Sequence, residues 1–137
     1  MRDRRVKATL VGADGITSDE FASIGGPAVE GTLMTLPRDP RKRPEAADVV
    51  KKMRDKKIDP EVYTLYSYAA VEVIKQAAEQ AKSLDPRKVA DAIHSGTSFK
   101  TVLGELSYDR NGDVTRPDYV MYVWKKQPDG KITYIED

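Results

Sequence analysis

The sequence predicts an α/β fold on three observations: a strand, a helix and a strand in close succession at the start, two long stretches with apolar residues at helical spacing, and a closing segment that alternates as a strand pair. Residues 6–11 form a short apolar run ending at Gly12, and residues 29–36 form a second, ended by Pro37. Between them Ser18-Asp-Glu-Phe21 offers an N-cap with acids in the first turn, and Gly25-Gly26-Pro27 stops that helix. In the second run Thr32, Met34 and Leu36 fall on one face, Leu33 and Thr35 on the other.

The loop that follows, Arg38-Asp-Pro-Arg-Lys-Arg-Pro44, is basic. Its two prolines, one at a first helical position, make it a solvated helix entry rather than a phosphate-binding patch. Residues 44–57 then read as a surface helix, with Glu45 in the first turn, Lys56 and Lys57 in the last, and a thin stripe of Ala46, Val49, Val50 and Met53. Residues 61–82 read as a central helix, because Val62, Tyr66, Ala69, Ala70, Val73, Ala77 and Ala81 repeat at helical spacing while Leu65 and Ile74 widen the buried arc. Asp85-Pro86 opens a further helix whose inner face is Val89, Ala92 and Ile93 and which Gly96 closes; a loop runs on through Phe99. Leu106 and Tyr108 begin a strand that leaves through Asp109-Arg-Asn-Gly-Asp113, whose Asn-Gly pair favours a tight turn with positive φ. Residues 119–124 and 131–135 pair as an antiparallel hairpin around Gln127-Pro-Asp-Gly130.

Composition narrows the function. At 137 residues, 39% apolar and 33% charged, the chain can bury a sizeable core. Its 23 basic and 22 acidic side chains are well mixed, so it has no electrostatic footprint for nucleic acid, and no nucleic-acid partner is expected. No run approaches the roughly 18 apolar residues of a membrane span. Met1-Arg-Asp-Arg-Arg5 is not followed by the apolar core of a signal peptide, so no export address is expected in the chain as written. Zero cysteines exclude disulfides and thiolate chemistry.

Catalytic and metal motifs are absent from the pattern. His94, the single histidine, stands at a helix end, where an imidazole meets terminal carbonyls, and no second histidine or H-E-x-x-H set accompanies it. Gly12-Ala-Asp-Gly15 and Gly25-Gly26 are not a dinucleotide fingerprint, no serine stands in G-x-S-x-G, and 109–113 lacks the calcium-loop spacing. No catalysis, metal or cofactor is expected. From the residues alone Asp14 is a loop carboxylate supporting a turn with Gly15, Tyr66 and Tyr68 are packing residues with satisfied hydroxyls, and Tyr63 at the start of the central helix either packs likewise or faces a cleft.

Gly104-Glu-Leu-Ser-Tyr-Asp-Arg-Asn-Gly-Asp113, the alternating Tyr119-Val-Met-Tyr-Val-Trp124, Gly12-Ala-Asp-Gly15 and Tyr63-Thr-Leu-Tyr-Ser-Tyr-Ala-Ala-Val71 together resemble the C-terminal part of the type I periplasmic binding proteins that serve ABC transporters for branched-chain amino acids, the Leu/Ile/Val-binding family. The resemblance runs from Lys7 to about Lys131. It implies a partial type I fold made of pieces of two Rossmann-like lobes: residues 1–36 end the second lobe, 37–114 belong to the first, and 115–137 cross back to close the second. In such proteins two lobes joined by three crossovers hold an amino acid, its ammonium and carboxylate on polar groups and its side chain on apolar and aromatic surface. Asp14 matches the acid that receives the ammonium, and Tyr63 matches the first-lobe tyrosine at the cleft. A transporter permease is the implied protein partner and the periplasm the implied compartment.

The same resemblance sets limits. The first-lobe opening strands that supply the carboxylate-binding groups have no counterpart here, so ligand binding by these residues alone is expected to be weak or absent. The central helix and the 29–36 strand are expected to bear apolar faces meant for other elements. A homodimer, completed by strand exchange or by mutual covering of sheet edges, is the expected remedy. The rival reading is a stand-alone oligomeric interaction protein that kept the fold elements without the ligand; an enzyme using Asp14 and a tyrosine is the least supported.

Overall fold

Thr32, Met34 and Leu36, the alternating set in the second apolar run, are all buried in the computed structural model, which describes residues 6–137. The basic opening at residues 1–5 lies outside the described residues. The chain divides into two units, residues up to Arg38 with 118–137, and residues 39–117.

The first unit is built on a four-stranded sheet. Its strands are β1 (Val11–Gly12), β2 (Leu33–Pro37), β5 (Tyr119–Lys126) and β6 (Ile132–Glu136), in the order β1-β2-β5-β6. β1 runs parallel to β2, and β2–β5 and β5–β6 are antiparallel. Helix α1 (Asp19–Gly25) lies in the β1–β2 crossover. Register sets the core: Met34 stands opposite Tyr122, Leu36 opposite Val120, and Trp124 opposite Tyr134. Phe21 of α1 meets the Trp124 ring at 5.3 Å, and Tyr134 meets both Trp124 (5.2 Å) and Tyr122 (5.6 Å) edge-on. Such pairs add about 0.5–1.5 kcal/mol beyond burial.

Two expectations for this unit need correction. Residues 6–10 are not strand; only Val11 and Gly12 pair, and Val6, Leu10 and Val11 are exposed. Apolar content alone does not make a strand where a ladder has a partner for only two residues. The 29–36 run, in turn, is strand only from Leu33, since Gly26–Val29 is a 3-10 turn; Met34 and Leu36 are covered within the unit by the aromatic cluster, while Leu33 on the other face is half-buried in a sheet face that leaves Val11, Met121 and Ile135 exposed.

The second unit is built around α3 (Val62–Ala81). A capping box starts it: the Glu61 side chain accepts from the Thr64 amide, and the Thr64 hydroxyl accepts from the Glu61 amide. Left-handed Lys82 ends it, with the Ser83 amide donating back to Ala78 O. Leu65 and Ala69 pack with Ala46 and Val50, the latter on α2 (Ala47–Asp55), and with Val102 and Leu103. Val73 and Ala77 pack with Ala92 of α4 (Pro86–Ile93) and with Phe99. Asp85 caps α4 by accepting from the Arg87 and Lys88 amides at 3.0 and 3.1 Å.

Phe99 does not sit in a loop. It opens β3 (Phe99–Thr101), which pairs antiparallel with β4 (Gly104–Leu106), and it is fully buried. The expected strand from Leu106 through Tyr108 therefore ends at Leu106, and Tyr108 makes only an isolated bridge to Val114. The β3–β4 turn tucks its two apolar residues inward, while the Thr101 hydroxyl donates to Gly104 O and accepts from Leu103 N. Along the outer edge of β3, α3 supplies a row of polar side chains. Glu72 accepts from the Val102 amide at 2.8 Å, Gln76 both donates to Lys100 O and accepts from Lys100 N, and Gln80 donates to the Thr97 hydroxyl. These i, i+4 positions stand in for a neighbouring strand.

Candidate functional site

Asp14 sits where a parallel strand delivers its chain to solvent. β1 ends at Gly12, and after Ala13 the chain turns through a short 3-10 segment, Asp14–Ile16. Carboxyl ends of parallel strands are the places where α/β sheets present ligand-binding groups. The loop is tied down on both sides. A Cβ at Gly12 would stand 2.7 Å from Ile16 Cδ1, so a larger residue there would make the Ile16 side chain shift from its place against the Met34–Trp124 cluster. The Thr17 hydroxyl and amide both donate to Asp14 O, at 2.8 and 3.3 Å. Asp14 itself is exposed. A solvent-facing carboxylate on a braced loop is suited to accept charge-assisted hydrogen bonds from an ammonium.

Tyr63 lies in the first turn of α3, inside the span of the capping box, and the residue is 47% exposed. Tyr66 packs against the Leu65–Val102 cluster, as its helical position predicts, and Tyr68 is exposed. Asp14 belongs to the first unit and Tyr63 to the second.

The remaining candidates take structural places. His94 is the C-cap residue of α4, its backbone amide donating to Ala90 O at 3.0 Å; the carbonyl of Ala92 also receives the Ser95 hydroxyl at 2.7 Å, and the imidazole lies beside Gly112, where a Cβ would come within 3.3 Å of Nε2. Asp109 Oδ1 accepts from the Asn111 and Asp113 amides at 2.8 and 3.0 Å, and Gly112 has φ +87°, so the acid-rich 109–113 segment is a tight turn organised by its own carboxylate. In the basic loop, Arg41 binds Asp39 through two parallel bonds of 2.8 Å, and Arg43 donates to Leu103 O. Partial burial pushes the Asp39 carboxyl up, but the hydrogen bonds from the Arg41 side chain and amide and the nearby positive charges outweigh it and hold the group below its ordinary 3.8. Burial pushes the Tyr108 hydroxyl up.

Sequence reasoning missed two parts of the candidate site, Ile16 and Thr17, which brace the loop. The only signal was spacing: Gly12 and Ile16 are four apart and Asp14 and Thr17 three apart, as a tight turn requires.

Comparison with known proteins gives a consistent picture. A family described as "Periplasmic binding protein" matches residues 4–131. The Leu/Ile/Val-binding protein homolog 1 of Brucella suis biovar 1 (strain 1330) is 56% identical over 136 residues, covering 99% of this chain and 37% of the relative. An amino acid binding protein of Pseudomonas aeruginosa is 40% identical over 126 residues, covering 90% of this chain and 33% of that protein. Among solved structures, leucine binding protein LivK from Thermotoga maritima aligns with a TM-score of 0.75 at 28% identity, over 98% of this chain and 38% of that one. The chain thus spans about 37% of the length of the curated relatives it matches.

Proposed function

Because the chain belongs to the periplasmic binding protein family and holds part of its type I fold, we propose that it carries one side of an amino-acid site in the substrate-binding component of an ABC transporter for branched-chain or related amino acids. The braced Asp14 loop carries this reading. Its carboxylate is suited to take a ligand ammonium, and Tyr63, exposed on the second unit, is by itself suited to cover an aliphatic side chain. The first unit is the piece of the second lobe and the second unit the piece of the first. The role is capture without catalysis, in the periplasm, with the transporter permease as protein partner.

A stretch matching about 37% of its relatives' length grips an amino acid from fewer directions than they do. Charge-assisted hydrogen bonds contribute about 1.5–3 kcal/mol each, so the absence of a few lowers affinity by roughly tens to thousands-fold. Binding by the 137 residues alone is therefore weak, and the chain self-associates as a homodimer. The exposed apolar side chains of α3 also favour a second reading, a stand-alone oligomeric interaction protein without a ligand. Isothermal titration with leucine, isoleucine and valine separates the two. A saturable heat at millimolar ligand that Asp14→Ala abolishes supports the amino-acid site; a heat that Asp14→Ala leaves unchanged overturns the role of Asp14.

A further inference from the structure

The Asp14 turn is held only loosely by its own backbone. Its two bonds, Ile16 N to Ala13 O at 3.4 Å and Thr17 N to Asp14 O at 3.3 Å, both exceed the usual N–H···O range of roughly 2.7–3.2 Å. Packing adds little at the tip. Ala13, Asp14 and Gly15 are all exposed, and a Cβ at Gly15 would meet nothing within 4 Å. Below the tip Ile16 turns inward against the Met34–Trp124 cluster, which fixes where the loop leaves the sheet without fixing how Asp14 is turned at its top. The short bond in the turn comes from a side chain: the Thr17 hydroxyl donates to Asp14 O at 2.8 Å.

We propose that Thr17 is the positioning residue of the ammonium site, its hydroxyl fixing the peptide plane after Asp14 and with it the direction in which the carboxylate leaves the backbone. The assignment rests on the amino-acid reading above and names a residue that acts through Asp14 rather than on the ligand. Thr17 is suited to this in three ways. Its side chain is branched at Cβ, so χ1 is confined to few rotamers and the hydroxyl stays aimed. Its amide donates to the same oxygen, so Asp14 O is gripped by two atoms of one residue and does not swing about a single bond. Thr17 is also half-buried and directly precedes Ser18, the N-cap of α1, whose carbonyl takes the Phe21 amide at 3.0 Å and so moors the tether to the helix. A carboxylate on an untethered turn has to be ordered by the ligand, which lowers affinity; one already held avoids that loss.

The test pairs Thr17→Val, which keeps the branched shape and drops the hydroxyl, with Thr17→Ser, which keeps the hydroxyl. In nitrogen-15 relaxation of the ligand-free chain, the Asp14 and Gly15 amides are expected to lose order in the Val variant and to keep it in the Ser variant. In titrations with leucine the Val variant is expected to bind roughly three- to tenfold more weakly, as the ordering of one side chain costs, and the Ser variant within about twofold of wild type. The urea midpoint is expected to stay in place in both, because Asp14 is exposed and water replaces the lost donor, so weaker binding is not a lost fold. A wild-type chain whose 12–17 amides leucine leaves in place overturns the amino-acid site, and this assignment with it. A Val variant that binds leucine as tightly as wild type, or a Ser variant as weak as Val, overturns the role of Thr17 and leaves the Asp14 site standing.

Discussion

Glu72→Ala tests whether α3 and the β3 edge are held together as the hydrogen bonds indicate. The Glu72 carboxylate accepts from the Val102 amide at 2.8 Å, and Val102 is only 3% exposed. Water therefore has little access to replace the lost acceptor. A hydrogen bond to a charged group contributes about 1.5–3 kcal/mol, and an orphaned buried amide costs a similar amount, the two being views of one loss. The substitution is thus expected to destabilise the fold by about 2 kcal/mol, moving a urea midpoint down by roughly 1 M for a slope of about 2 kcal/mol/M. Glu72→Gln keeps an acceptor oxygen and gives up only its charge, so about half of that loss is expected. Native-state hydrogen exchange adds a local readout, since the Val102 amide should exchange faster in the Ala variant than in the Gln variant. An Ala variant within about 0.5 kcal/mol of wild type, or a Gln variant as damaged as Ala, would refute the reasoning.

Trp124→Ala removes the ring that Phe21 and Tyr134 pack against and is expected to cost about 3–5 kcal/mol, read by circular dichroism during urea unfolding. Asp85→Ala leaves the Arg87 and Lys88 amides without their cap and is expected to cost about 1 kcal/mol, with Asp85→Asn closer to wild type. Asp39 gives a pH signature: its folded value lies below its ordinary 3.8, so the unfolded chain binds the proton more readily, and the stabilisation is present above pH 3.8 and lost as pH falls through the folded value. Asp39→Asn should accordingly be less stable than wild type at neutral pH and converge with it in acid, as paired urea titrations would show.

What the sequence made legible follows from how strongly each segment repeats. Residues 61–82 supply six turns of consistent spacing, and α3 lies within one residue of that range at each end. The 119–135 hairpin has strong alternation and a Pro-Asp-Gly turn, and β5 and β6 appear where alternation places them. β3 has three residues, and its edge is satisfied by Glu72 and Gln76 from a distant helix; neither its length nor its partners leave a local trace. The 6–11 run errs in the opposite direction, since Val and Leu are present but the ladder offers a partner only to Val11 and Gly12. Ile74 and Ala70 carried helical periodicity but lie exposed, because spacing shows that a face is apolar without showing what covers it. At the candidate site, Asp14 was found through resemblance and not through chemistry, as a lone acid between two glycines is an ordinary turn. The bracing by Ile16 and Thr17 required coordinates.

The most direct measurement is a nitrogen-15 amide NMR titration of the 137-residue chain with leucine and, in parallel, with N-acetylleucine, which has the same side chain and carboxylate but no ammonium. With Asp14 as the ammonium anchor, millimolar leucine should shift the amides of residues 12–17 while N-acetylleucine leaves them in place. Equal shifts from both ligands, or a 12–17 loop that neither one moves, would contradict it.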